Sequence, residues 1–151
     1  MDNNPQIILR QATSADLDTI TSILNREHLP AQDCHAHLDT FTILEVAGTA
    51  AGIGGLECYG EYGLLRSLVV LERYRGKGLG ATIIHHIIEQ ACSQGIHTLY
   101  CLTEDAQQFL SGTGFSIWSR DAAPKPIRQT QQFSSLCPDS AVLMSLDISK
   151  D

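Results

Sequence analysis

The run Arg75-Gly76-Lys77-Gly78-Leu79-Gly80 constrains this chain more than any other feature: three glycines fall in six positions, between an apolar β-type run and an isoleucine-rich helical pattern. Glycine admits positive φ and carries no Cβ, so successive backbone amides can converge on one point. At the junction of a strand and a helix those amides lie at the positive end of the helix dipole, where they suit a phosphate. A purely structural strand-to-helix turn would use the same residues, and the loop alone leaves both readings open. Spacing excludes two nucleotide motifs. G-x-x-x-x-G-K-[ST] is absent, and Gly76, Gly78 and Gly80 do not spell G-x-G-x-x-G.

The flanking pattern supplies the order strand, glycine loop, helix. Leu64 to Leu71 is apolar on both faces except at Arg66 and Ser67, as in a buried central strand. Leu79, Ile83, Ile84, Ile87, Ile88 and Ala91 recur at helical spacing, and Gly95 is placed to cap that helix. Upstream, Gln6–Leu9 reads as a strand, and cap-type residues precede a helix carrying Leu17, Ile20, Ile23 and Leu24. Residues 26–39 lose their period, which predicts a loop or a short broken helix. Thr40–Val46 and Ala50–Tyr59 read as a hairpin, with Gly52, Gly54 and Gly55 predicting a bulge or a close backbone approach. Downstream come a strand over 96–102, a short helix over 103–110, a turn at Gly112–Gly114, a strand over 115–118, a polar loop over 120–139 and a last strand over 141–146. With no repeat or linker, residues 1–151 read as one mixed α/β domain.

Charge and cysteine content narrow the partners. Ten basic against 17 acidic residues give a formal charge of −7, which disfavours nucleic acid and anionic membrane as partners, since both need a positive field. Any bound anion must be held locally. Five cysteines with no C-x-x-C pair, no N-terminal apolar run and no apolar stretch of about 20 residues lead us to expect a soluble protein of the reducing cytosol.

The glycine loop spells R-x-x-G-x-G, and with it the sequence resembles the GNAT superfamily of N-acetyltransferases. Leu9–Asp16 is similar to that family's first strand and helix start, Ser67–Gly80 to its acetyl-CoA strand and pyrophosphate loop, and Ala106–Phe109 through Gly114-Phe115 to its A-x-x-F-x-x-x-x-G-F segment. Within the superfamily, Gly63–Leu68 and the tail Ile127–Phe133, Leu136-Cys137-Pro138 and Ser140-Ala141 resemble a branch linked to arsenic resistance.

The resemblance implies a mostly antiparallel sheet splayed at strands 4 and 5, with helices on both faces, and acetyl-CoA as cosubstrate with no metal. It places Arg75, Gly76, Lys77, Gly78, Leu79 and Gly80 around the coenzyme A pyrophosphate. Leu68, Val69 and Val70 would pair by backbone with the pantetheine arm, and Thr103 and Phe109 would complete the cofactor site. Free strand edges make such pairing physically reasonable. Two departures stand out: Leu110 occupies the position of a frequent tyrosine general acid, and Thr103 that of a frequent asparagine. The implied reaction is direct acetyl transfer to a primary amine of a small molecule, amino-acid-like or arsenic-containing. A non-catalytic acyl-CoA sensor and a protein N-acetyltransferase are the alternatives, and the sequence leaves both monomer and homodimer open.

An amine must lose a proton to attack, so a base or water relay is needed. Glu57, Glu61, Tyr62 and Ser67 are the nearby candidates, with Glu57 and Ser67 preferred. Arg66 is a charge within an apolar strand, which is costly unless it is paired or faces a site; it would either hold a substrate oxyanion or form an internal salt bridge with Glu57 or Glu61. Arg128, with Thr130 and Gln132 on one side of an extended segment, would extend the acceptor pocket or belong to a polar surface loop. His28, Cys34, His35 and His37 lack the spacing of a zinc site and read as a helix-loop beside the acceptor. His85 and His86 read as surface residues, Cys58 and Cys101 as small buried hydrophobes, and Cys137 as exposed.

Overall fold

The computed structural model describes residues 6–136 and 140–149, so Cys137 and its tail neighbours Pro138 and Asp139 lie outside the described residues. Seven strands carry the fold: β1 (Ile7–Gln11), β2 (Phe41–Val46), β3 (Thr49–Tyr59), β4 (Tyr62–Val70), β5 (Thr98–Thr103), β6 (Ser116–Trp118) and β7 (Val142–Asp147). The main helices are α1 (Leu17–Arg26), α2 (Leu79–Ser93), α3 (Gln107–Gly112) and the single-turn α4 (Lys125–Arg128). Strand order is β1-β2-β3-β4-β5-β7-β6. The recorded pairings are antiparallel except for β4 with β5, which is parallel. This is the mixed, mostly antiparallel sheet expected.

The chain forms two compact units, one of residues 1–55 and 67–87 and the other of 56–66 and 88–151. In the first, strand alternation sends neighbouring residues of β3 to different helices. Ile53 joins Phe41, Ile43 and Val69 in a cluster with Ile20, Ile23 and Leu24 of α1. Gly52 and Gly54 point the other way, where a Cβ would come within 2.9 Å of Ile83 Cδ1 and 2.8 Å of Ile83 Cγ2 respectively. The glycines of β3 therefore admit α2 at close range, one of the two reasons the sequence offered. The other holds as well, since the β2–β3 register shifts between Leu44 and Glu45.

Turn chemistry fixes the ends. Ala47 and Gly48 have φ of 52° and 84°, so a two-residue turn closes the β2–β3 hairpin, one residue shorter than the expected strand bounds leave. Gly95 caps α2 as predicted, with φ 82° and its successor Ile96 donating back to the Ala91 carbonyl. The irregular stretch before β2 contains a short 3₁₀ segment, Cys34–Thr40, broken at His37.

In the second unit Leu64, Tyr100, Ala123, Ile127 and Leu143 form the core. Gly63 is tight, since a Cβ there would lie 2.9 Å from Leu99 Cδ2. Two expectations are corrected. The described part of the expected loop, residues 120–136, is not open: helical turns occupy Arg120–Ala122, Lys125–Arg128 and Gln132–Leu136. Arg128, Thr130 and Gln132 therefore do not share one side of an extended strand. Cys58 is exposed where a buried position was expected, while Cys101 is buried. Among the described residues no helix is long and apolar enough to cross a membrane.

Candidate functional site

The glycine loop takes the form its composition suggested. Gly76 and Gly78 have φ of 80° and 77°, a region that favours glycine, and open space lies over the Cβ position of each. The Gly78 carbonyl accepts from the Thr82 amide at 3.2 Å, the first bond of α2. The amides of Leu79, Gly80 and Ala81 thus start a helix of 15 residues and have no partner within it. They and the glycine amides form a nest at the helix's positive end, a ready site for an anion. Lys77 is exposed beside it, and the Arg73 guanidinium stacks over the Tyr74 ring at 5.0 Å.

Arg75, at the loop entrance, is held at two points. Its Nε donates to the Val70 carbonyl at 2.8 Å, and its Nη2 to Glu27 Oε1 at 2.6 Å. Val69 is buried, with Leu68 and Val70 half-buried. The parallel ladder with β5 covers only Tyr62–Leu65 against Thr98–Cys101, so β4 runs on past it through Val70. Where the ladder ends, Ser67 takes φ 59° inside the strand. A non-glycine residue in that region interrupts the pleat and costs of order 1 kcal/mol, a strain that collects at functional sites. No sequence signal marks it.

In the second unit, Glu57 and Arg66 resolve one of the alternatives the sequence left open. Arg66 Nη1 donates to Glu57 Oε2 at 2.9 Å, with each side chain 1% exposed. The Tyr59 hydroxyl donates to the other carboxylate oxygen. Both oxygens of the preferred base thus carry a donor, and Arg66 is paired internally. Tyr59 escaped the sequence reading, though its place two residues from Glu57 on one strand face was a usable signal. Of the remaining base candidates, Tyr62 is raised above the ordinary phenol range, first by its hydrogen bond to Glu61 and then by the Glu61 charge, which makes it a poorer base near neutrality.

Thr103 is buried at the end of β5, and its hydroxyl accepts from the Ala106 amide at 2.9 Å ahead of α3. On α3, Phe109 is exposed and Leu110 fully buried, so the residue standing in for the family's tyrosine is a packing residue here. Arg128 is exposed, while Thr130 and Gln132 are buried. The Thr130 hydroxyl donates to the Ile127 carbonyl and accepts from the Phe133 amide. His85 is exposed and His86 half-buried, in keeping with surface positions.

A nest of amides between a central strand and a long helix invites comparison with known proteins, and the family model of the GNAT acetyltransferases matches residues 9–115. The chain belongs to the GNAT acetyltransferase family. Among its GNAT relatives, the amino-acid acetyltransferase of Neisseria meningitidis serogroup A is 26% identical over 132 residues, covering 82% of this chain and 30% of that protein. The chain thus spans about a third of the length of the curated relatives it matches. N-acetylglutamate synthase from Neisseria gonorrhoeae, complexed with coenzyme A and N-acetyl-glutamate, superposes with a TM-score of 0.83 at 22% identity, over 96% of this chain and 36% of that one. Rv2747 from Mycobacterium tuberculosis, solved with CoA, gives 0.78 at 17% identity, over 93% and 98%. These likenesses establish the GNAT fold for this chain.

Proposed function

We propose that this chain is an acetyl-CoA-dependent N-acetyltransferase that moves an acetyl group to a primary amine of a small molecule by direct transfer in a ternary complex. The observation that carries the reading is the amide nest of Gly76, Gly78, Leu79 and Gly80 at the start of α2, in a chain of the acetyltransferase family. A net acidic protein gains from such a site because it needs no global positive field. The nest, with Arg75 and Lys77, receives the pyrophosphate. The backbone of Leu68, Val69 and Val70, where β4 has left the β5 ladder, receives the pantetheine arm, and the family resemblance assigns Thr103 and Phe109 to the cofactor as well. Arg75 already occupies the Val70 carbonyl, which leaves Leu68 and Val69 as the stronger backbone partners.

The amine nitrogen attacks the thioester carbonyl carbon, the C–S bond breaks, and the coenzyme thiolate leaves. A thiol near pKa 8.5 departs with modest help, so Leu110 in place of an acid is compatible with turnover supported by positioning. Glu57, whose carboxylate Arg66 and Tyr59 already hold, serves as base through a water relay and not by direct contact with the amine, and Ser67 is the polar group at the bend of β4. Because Arg66 is committed to Glu57, an acid group on the substrate falls to Arg128. Amino-acid-like acceptors are supported by the relatives named for amino-acid acetylation. The likeness of residues 63–68 and 127–141 to the arsenic-resistance branch extends the class to arsenic-containing amino acids.

Acetyl-CoA at micromolar concentration should raise the melting temperature, and the absence of any shift at millimolar concentration would sink the cofactor assignment. Gly78→Val should abolish the shift, because a β-branched residue is strained at φ 77° and its side chain enters the nest. Coenzyme A release across a panel of amines then reads turnover. Binding without release across amines and acceptor peptides would mark a sensor module, and release with peptides alone a protein acetyltransferase.

A further inference from the structure

We infer that Glu27 is a positioning residue for the pyrophosphate site, acting through Arg75; this rests on the proposed acetyl-CoA reading and names a residue 48 positions from the loop it serves. Four observations combine. Arg75 directly precedes Gly76, so the orientation of its backbone sets where the amide nest begins. Its guanidinium is tied to β4 through Val70 O and to α1 through Glu27, at 2.8 and 2.6 Å. With these two bonds made, the loop entrance is held to two separate elements of the same compact unit.

Glu27 is itself a fixed point. It is the C-cap of α1, with φ −92° and ψ 6°, and the chain beyond it turns through His28 at φ 58°. The Leu29 amide donates to the Leu24 carbonyl at 2.9 Å and the His28 amide to the Asn25 carbonyl at 3.2 Å, the paired bonds of a Schellman end. The carboxylate therefore projects from a defined helix terminus. An arginine with 51% side-chain exposure, placed directly before the positive-φ Gly76 and close to Gly78, would otherwise sample many rotamers and carry the loop with it. Holding it lowers the ordering cost that pyrophosphate binding must meet.

Charge alone would act the other way: a carboxylate near the nest opposes an incoming anion, so its removal would tighten binding if positioning contributed nothing. Glutamine separates the two effects, because it keeps a carbonyl acceptor at the same reach and loses the charge. Equilibrium titration of the whole chain with acetyl-CoA, and with acetyl-pantetheine, which lacks the pyrophosphate, tests the inference. Glu27→Ala should raise the Kd for acetyl-CoA up to about fivefold, the upper end of what a solvent-exposed ion pair contributes. Glu27→Gln should restore most of that affinity, and neither variant should change the Kd for acetyl-pantetheine. Equal or tighter acetyl-CoA binding by Glu27→Ala would overturn the inference while leaving the cofactor reading intact. An equal loss for both ligands would overturn it too, showing a general effect on the fold. A wild-type chain that binds no acetyl-CoA would overturn the cofactor reading, and the inference with it.

Discussion

Arg66 and Glu57 take two opposite charges out of water, each side chain 1% exposed and 2.9 Å from its partner. Removing both charges from solvent costs several kcal/mol per ion, which their attraction and the Tyr59 bond to the same carboxylate must offset. Truncating one partner leaves the other buried and uncompensated. Arg66→Met should therefore lower unfolding free energy by about 3–5 kcal/mol, and Glu57→Gln by a similar amount, while the double variant loses much less than their sum. Urea denaturation of the four proteins gives the coupling directly, and additive losses would contradict the pair. This residue-scale result also bears on legibility. A lone charge in an apolar strand announced either a pair or a site, and the nine-residue separation fitted a hairpin partner. Which alternative holds depends on rotamers, and those are not written in the sequence. The backbone conformation of Ser67 was illegible: a non-glycine residue in the left-handed region is imposed by its surroundings, not by its own preference.

At the scale of elements, the glycines of β3 carried the most information. Their position in an otherwise β-type run announced either a bulge or a close approach, and the approach is that of α2. The two positions differ in what a methyl would strike. At Gly52 the contact includes the Val69 carbonyl oxygen at 2.9 Å, which is backbone and cannot step aside, whereas at Gly54 it is the side chains of Ile83 and Ile87, both at 2.8 Å. Gly52→Ala should cost about 1–3 kcal/mol by overpacking, and Gly54→Ala distinctly less, because side chains can shift. Thermal unfolding of the two variants checks this, and equal losses would mean that the backbone approach at Gly52 is not the limiting contact. Other elements were less readable. The helical turn Lys125–Arg128 follows Pro124 and has a proline in its first turn, a start signal masked by the polar composition around it. The insertion of β7 between β5 and β6 is a long-range choice with no local signature. Cys58 was misjudged because β3 is buried on both faces from Ala51 through Glu57, and the exposed end of the strand begins immediately after it.

For the whole molecule, a formal charge of −7 coexists with a basic cluster of Arg73, Arg75 and Lys77 at one loop, so anion attraction is local and acid stability is set by how the carboxylates are held. Asp16 is the clearest case. Arg10 donates to its two oxygens at 2.8 Å each, the Thr13 amide donates at 2.8 Å, and Arg10 Nε reaches Glu45 at 3.0 Å. The Arg10 hydrogen bonds, more than any other cause, hold the Asp16 carboxyl well below the ordinary carboxylate range. A carboxyl whose pKa is depressed by folding stabilises the native state fully above its unfolded value of about 3.9, and that contribution drains away as pH falls toward the folded value. Arg10 is 36% exposed, so solvent screens the pair and the contribution at neutral pH is discounted to about 1 kcal/mol. Asp16→Asn should therefore be less stable than wild type by that amount at pH 7, with the gap unchanged down to about pH 5 and narrowing steadily below about pH 4. Denaturant melts of both proteins from pH 7 to pH 2.5 measure it. A gap that stays constant across the range would show that Asp16 contributes through its cap geometry and not through its charge.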